Sequence, residues 1–151
     1  MPTRYRGTES EVRALNALIS LVRSSEAVGV ALHRALLRER LTSSQFGVLE
    51  ALFHLGPLCQ GDLATKLLRT GASTTSVVAG LEKRGLLIRQ RTEEDKRFVR
   101  VALTGKGRKR IESLFPAHAE RVARVFSALT AEEQEHLRRL CRKLGTAAAE
   151  A

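Results

Sequence analysis

The chain has no tryptophan, one tyrosine, one methionine, three prolines and two cysteines in 151 residues. Cys59 and Cys141 alone do not make a disulfide framework. A small secreted scaffold held by bridges is therefore set aside, and reduced thiols in the cytoplasm are expected. No stretch reaches the roughly 18 uninterrupted apolar residues that span a bilayer. The charged stretch 1–10 is not followed by an apolar run like that of a signal peptide, so no membrane partner is expected. Internal repeats, a phosphate-binding glycine loop, a dinucleotide fingerprint and a Ser-His-Asp order are all missing. His33, His54, His118 and His136 lie far apart, and no pair has metal-ligand spacing on one helix. No metal and no cofactor are expected.

What the chain has in excess is positive charge. Lys and Arg number 26 against 16 Asp and Glu, a net charge of +10. From Lys66 to Arg110 there are 13 basic and 4 acidic residues, so this third of the chain carries nearly all of the excess. A clustered cationic footprint suits a polyanion such as duplex DNA, whose phosphates it would neutralise. The blander alternative is a solvated basic face without a partner.

The hydrophobic period is helical over 11–40, with Val12, Leu15, Leu18, Ile19 and Val22 three and four apart. A helix near 45 Å long needs a large apolar surface to lie against, and a second subunit is one way to supply it. Thr42 with Gln45 fits a capping box opening a second helix, which Gly56 and Pro57 end. Two shorter helices follow, about 62–68 and 73–84, with a break at Thr70-Gly71 and with Gly85 closing the second. Two short helices around a glycine-containing turn form a helix-turn-helix. The period then changes to two across 86–91 and 98–103, around a polar turn, which predicts a β-hairpin. Two more helices complete the chain: one from Lys106 to Leu129, bent near Pro116, and one capped by Thr130 and Glu133 and stopped by Gly145. Leu137, Leu140, Cys141 and Leu144 form the apolar face of the last helix, with Cys141 in the core, and an alanine tail frays after it. The expected fold is mainly α with a small β-hairpin wing: a winged helix-turn-helix on a helical dimerisation scaffold.

The second short helix opens on small and hydroxylated residues. A recognition helix inserts its N-terminal half into the major groove, where such side chains allow close approach. Gly71, Ala72, Ser73, Thr75 and Ser76 are the candidate DNA-contacting positions there, with Lys66, Arg69 and Thr70 just before them. The alternative is an ordinary Ser/Thr-rich helix start. On the hairpin, Arg91, Lys96 and Arg97 are the candidates, among further basic residues Arg89 and Arg100. A guanidinium on a thin ribbon can enter a narrow minor groove, and Asp95 can support Arg97 through a charged hydrogen bond. The alternative is a solvated turn with an idle ion pair.

The stretch Asp95-Lys96-Arg97-Phe98-Val99-Arg100-Val101-Ala102-Leu103-Thr104-Gly105-Lys106-Gly107 resembles the wing signature of the MarR family of bacterial regulators, D-x-R-x-x-x-V-x-L-T-x-x-G, at every fixed position. Leu81-Glu82-Lys83-Arg84-Gly85-Leu86 is similar to that family's recognition-helix terminus. The resemblance spans nearly the whole chain, as one domain of 1–151. It implies a homodimer interlocked through 11–40 and 106–144, around a DNA-binding region at 42–104. It also implies recognition helices in successive major grooves of an inverted-repeat operator, with Arg97 in the minor groove. The implied function is a transcriptional regulator, a repressor released by a small aromatic or phenolic effector or by thiol oxidation. The lack of tryptophan, and of a cysteine in the first helix, counts against two subtypes of the family. Phe46, Phe53, His54, Phe115 and His118 are candidates to line an effector pocket, or are ordinary packing residues. Cys59, just ahead of a helix, is a candidate redox thiol or a half-buried loop residue. A protein-interaction winged helix and a thiol-dependent enzyme are the other readings. The first has no need of the basic face, and the second has no partner base for Cys59.

Overall fold

A computed structural model describes residues 2–67, 71–91 and 99–150. Helices α1 (Glu9–Arg38), α2 (Ser43–Leu55), α3 (Gln60–Lys66), α4 (Gly71–Lys83), α5 (Gly105–Phe126) and α6 (Ala131–Ala149) alternate with strands β1 (Leu58–Cys59), β2 (Leu87–Arg91) and β3 (Val99–Leu103). The chain forms two compact units, 1–116 and 117–151. The boundary falls inside α5, directly after Pro116, and α5 runs on as one helix through that residue.

Helix ends follow local chemistry. Thr8, Thr42 and Thr130 each close a reciprocal capping box, with Glu11, Gln45 and Glu133. In the first, the Thr8 backbone N–H donates to Glu11 at 2.7 Å. That bond, and then one from the Thr8 hydroxyl, hold the Glu11 carboxyl below its ordinary pKa. Three helices end at residues of positive φ, one of them α2 at Gly56 (φ 78°). Gly85 (φ 69°) follows α4, where Gly85 N–H donates to the Glu82 carbonyl at 2.8 Å and Leu86 N–H to that of Leu81 at 3.0 Å. These are the two bonds of a Schellman motif. Arg40 (φ 54°) occupies the equivalent place after α1, and Leu41 N–H returns to the Leu36 carbonyl. Gly145 does not stop the last helix, which runs to Ala149. A helix-interior glycine costs only about 1 kcal/mol relative to alanine, and the following Thr-Ala-Ala-Ala run continues the turn.

The core of the first unit gathers Leu36 and Leu41 around Phe46, Val48, Leu49 and Leu52 of α2, Leu63 of α3, Val78 and Leu81 of α4, Leu86, Leu87, Val101 and Ile111. The three-stranded antiparallel sheet has the order β1-β3-β2. The expected hairpin is present, with Leu87 opposite Leu103 and Arg91 opposite Val99. Strand β1 was not expected, and its two residues, Leu58 and Cys59, pair with Val101 and Arg100. Two residues are too few for a period to register in sequence.

Much apolar surface is left uncovered. On α1, Leu18, Leu21, Val22, Val30 and Leu37 are exposed, as are Leu137, Leu140 and Leu144 on α6. Cys141 is exposed too, not in a core as expected, because α6 buries none of its residues within this chain. By length and composition α1 is apolar enough to cross a membrane, with a mean hydropathy of 1.3 over its best window. Arg23 and Glu26 interrupt it midway, however, and each such charge costs about 3 kcal/mol in hydrocarbon. A helix with one covered face fits this pattern better than a lipid-embedded one.

Where α4, the hairpin and α5 meet, Thr104 ties the backbone together. Thr104 N–H donates to the Leu86 carbonyl at 3.1 Å. The Thr104 hydroxyl donates to the Gly85 carbonyl at 2.7 Å and accepts from Gly107 N–H at 3.0 Å, which caps α5. Gly107 lies so close that a Cβ there would stand 2.0 Å from the Leu86 carbonyl oxygen. Backbone cannot yield as a flexible side chain can, so Gly107→Ala is expected to destabilise the protein by about 1–3 kcal/mol or more. Urea unfolding monitored by circular dichroism measures this, and an unchanged midpoint refutes the close approach.

Candidate nucleic-acid interface

Helix α4 has two faces set by its 3.6-residue period. Thr74, Val78 and Leu81 turn inward and are buried. Gly71, Ala72, Thr75, Ser76 and Lys83 are exposed, and Ser73 is half-buried. The outward surface of the first two turns is therefore small and hydroxylated, free of any side chain large enough to hold another backbone at a distance. Thr74, in the middle of the hydroxyl run, is not on that surface and is completely enclosed.

The same turns are fixed from within the unit. The Thr75 hydroxyl lies 2.8 Å from the Gly71 carbonyl one turn earlier. The Gln60 side-chain amide, at the start of α3, donates to that same hydroxyl. Gln60 thus couples the two helices of the helix-turn-helix. Sequence reasoning missed it, because a single glutamine 15 residues away has no periodic signal.

Among the described residues, some basic side chains have no ion pair and others are committed to one. Lys66 at the end of α3, Arg91 at the end of β2 and Arg100 on β3 are exposed. Arg89 is not part of a free cationic ribbon. Its Nε faces Glu82 of α4 at 3.3 Å, which docks β2 on the back of that helix. Four candidates near the hairpin tip and helix turn, Arg69, Thr70, Lys96 and Arg97, lie outside the described residues, as does Asp95.

The proposed pocket residues separate in the same way. Phe53, His54 and Phe115 form a cluster of edge-on and tilted rings, with centroids 4.8–6.2 Å apart. The Arg108 guanidinium stands 5.7 Å from the Phe53 ring centre, within cation–π range. Phe46 is enclosed in the core at 3% exposure and does not line a surface with them. His118 belongs to the second unit. Cys59 is half-buried, occupies the N-cap position of α3 and makes no side-chain capping bond. Among the described residues, no group of three His, Cys, Asp or Glu is placed to hold a metal ion.

Residues 41–99 match the model of the MarR family. The chain is 35% identical over 143 residues to the uncharacterized HTH-type transcriptional regulator YkoM of Bacillus subtilis, covering 94% of this chain and 93% of that protein. BpsR of Bordetella bronchiseptica, whose DNA binding is regulated by 6-hydroxynicotinic acid, superposes with a TM-score of 0.78 at 26% identity, covering 85% of this chain and 98% of that one. NadR bound to 4-hydroxyphenylacetate superposes with a TM-score of 0.75 at 27% identity, covering 95% and 97%.

The two-faced reading of α4 makes a direct stability prediction. Ala72→Glu and Ser76→Glu change exposed positions and are expected to stay within about 0.5 kcal/mol of the parent. Thr74→Asp places a carboxylate in a fully enclosed site and is expected to cost several kcal/mol. Thermal melts of the three variants check the assignment. A tolerant Thr74 or an intolerant Ser76 would invert it.

Proposed function

Because the chain belongs to the MarR family of transcriptional regulators, and is not an enzyme, we propose that it acts on DNA as a cytoplasmic homodimeric repressor. Its operator is an inverted repeat, and a small aromatic hydroxy acid releases it. The observation that carries the reading is the outward face of α4. Gly71, Ala72, Thr75 and Ser76 offer a low surface at the N-terminal half of a helix, as entry into a major groove requires. Lys66 and Arg91, both exposed, are the phosphate contacts of this reading, with Ser73 beside them on α4. Arg69, Thr70, Lys96 and Arg97 enter it from the sequence alone, Arg97 as the minor-groove group.

The dimer has its own support. The exposed leucines and valines of α1 and α6 exceed the scattered apolar residues of an ordinary surface. A second copy would cover them and would set two α4 helices about one helical turn of DNA apart.

DNA binding is tested by fluorescence anisotropy on duplexes selected from the source genome. Affinity is expected to fall steeply with salt. Specific sites should bind at least about 1,000-fold tighter than random duplex at physiological salt. Arg97→Ala should weaken binding at least about tenfold, most at A·T-rich flanks, since a minor-groove arginine reads groove width. Equal binding by that variant would remove the hairpin from the interface.

For the effector, the support is the ring cluster at Phe53, His54 and Phe115 beside Arg108, together with the phenolic and hydroxypyridine acids bound by similar proteins. Rings stack on rings, and a guanidinium holds a carboxylate. Titrating 4-hydroxyphenylacetate and 6-hydroxynicotinate into the DNA complex is expected to release the duplex. Phe53→Ala should raise the half-maximal concentration about tenfold or more, a shift of about 1.4 kcal/mol. An unchanged concentration would place the effector elsewhere.

A further inference from the structure

The first turns of α5 contradict the usual placement of charge on a helix. Its N-terminal sequence, Gly-Lys-Gly-Arg-Lys-Arg, has no acidic residue in the first turn, although a helix N-terminus carries partial positive charge and favours anions. Lys106, Lys109, Arg110 and Ser113 recur at spacings of three and four, and so share one stripe. That stripe faces Lys83 and Arg84 from the end of α4 across an open groove of about 660 Å³ floored by Leu86. The volume lies in the range of small-ligand sites.

The groove is built as well as charged. Lys106 Nζ donates to the Arg84 carbonyl at 2.9 Å. Arg84 donates to the Arg40 carbonyl at 2.9 Å. Arg110 donates to the carbonyl and the carboxylate of Glu39, both at 3.0 Å. These bonds fix three of the five cations in place. The neighbouring carboxylates are already taken: Glu39 by Arg110, Glu82 by Arg89 and Glu112 by Arg108. Among the described residues, Lys83 and Lys109 have no anionic partner. A cleft lined by one sign of charge focuses its field and concentrates counter-ions, so the missing component is an anion.

We propose that this groove between the end of α4 and the start of α5 is a binding site for a small phosphate-bearing ligand. Arg84 and Arg110 supply the pre-positioned guanidiniums that suit phosphate oxygens. Lys83 and Lys109 supply the mobile ammonium groups. The site lies at the opposite end of α4 from Gly71, about 18 Å along the helix axis at 1.5 Å per residue. It therefore does not depend on the DNA contacts of the first two turns.

The test titrates inorganic pyrophosphate into the full-length protein by calorimetry at constant ionic strength. Orthophosphate and glycerol phosphate are run alongside, to separate a free phosphate from a phosphate ester. Saturable binding of one pyrophosphate per chain is expected, weakened at least tenfold in Lys83→Ala/Lys109→Ala. Both residues are exposed and unpaired, so the thermal melt of the variant should match the parent. Absence of saturation, or equal binding by the variant, overturns the site. The variant is also tested on duplex DNA. An equal loss there would make the groove part of the DNA footprint and would likewise overturn it. Unchanged duplex binding with lost pyrophosphate binding supports it, and failure of duplex binding by the parent would bear on the function proposed above and not on this groove.

Discussion

The close approach of Gly107 to the Leu86 carbonyl is the constraint on which the functional half of the molecule depends. At that point α4 has just ended in its Schellman turn, the hairpin is about to begin, and α5 leaves the sheet. Thr104 bonds all three, through its N–H to Leu86 and its hydroxyl to Gly85 and Gly107. A side chain at position 107 would push α5 away from the turn. The same junction joins the end of α4 to the start of α5, the two segments that line the cationic groove. The Leu-Thr-x-x-Gly portion of the motif thus forms a backbone junction.

The rest of the candidate interface is organised by which polar groups are already committed. Thr75 is held by Gly71 and Gln60, and Arg89 by Glu82. Such contacts cost side-chain freedom once, on folding, and leave the α4 surface ordered. Thr74 shows the same economy of placement: its neighbours Ser73 and Thr75 stay near the surface while it turns into the core. Enclosing one hydroxyl inside the unit is the consequence of a four-hydroxyl run on a helix whose period is 3.6.

The long helices follow a different logic. Within one chain, α1 and α6 display more apolar side chains than they bury. A helix gains most of its stability from covering an amphipathic face, not from propensity alone. The capping boxes at Thr8 and Thr130 fix where these helices start, but cannot supply that cover. Stability and DNA binding would then be joined, since a second copy would both cover the stripes and double the number of recognition helices.

The sequence by itself determined the local elements. The capping boxes at Thr42 and Thr130, the Gly85 terminus and the hairpin involve residues close in the chain, so their spacing states their geometry directly. The Thr8–Glu11 box is equally local but was not read, and the strand register came from the structure. The small, hydroxylated start of α4 was legible for the same reason. Only the tertiary structure decided which of those residues reach solvent, that Arg89 is spent on Glu82, that Phe53, His54 and Phe115 meet while Phe46 is buried in the core, and that β1 exists. It alone brought Glu39 to Arg110 across 71 residues of chain and made Lys83 a neighbour of Lys109 across one groove. Pairings between distant segments depend on how whole elements pack, and a list of spacings along the chain contains no term for that packing.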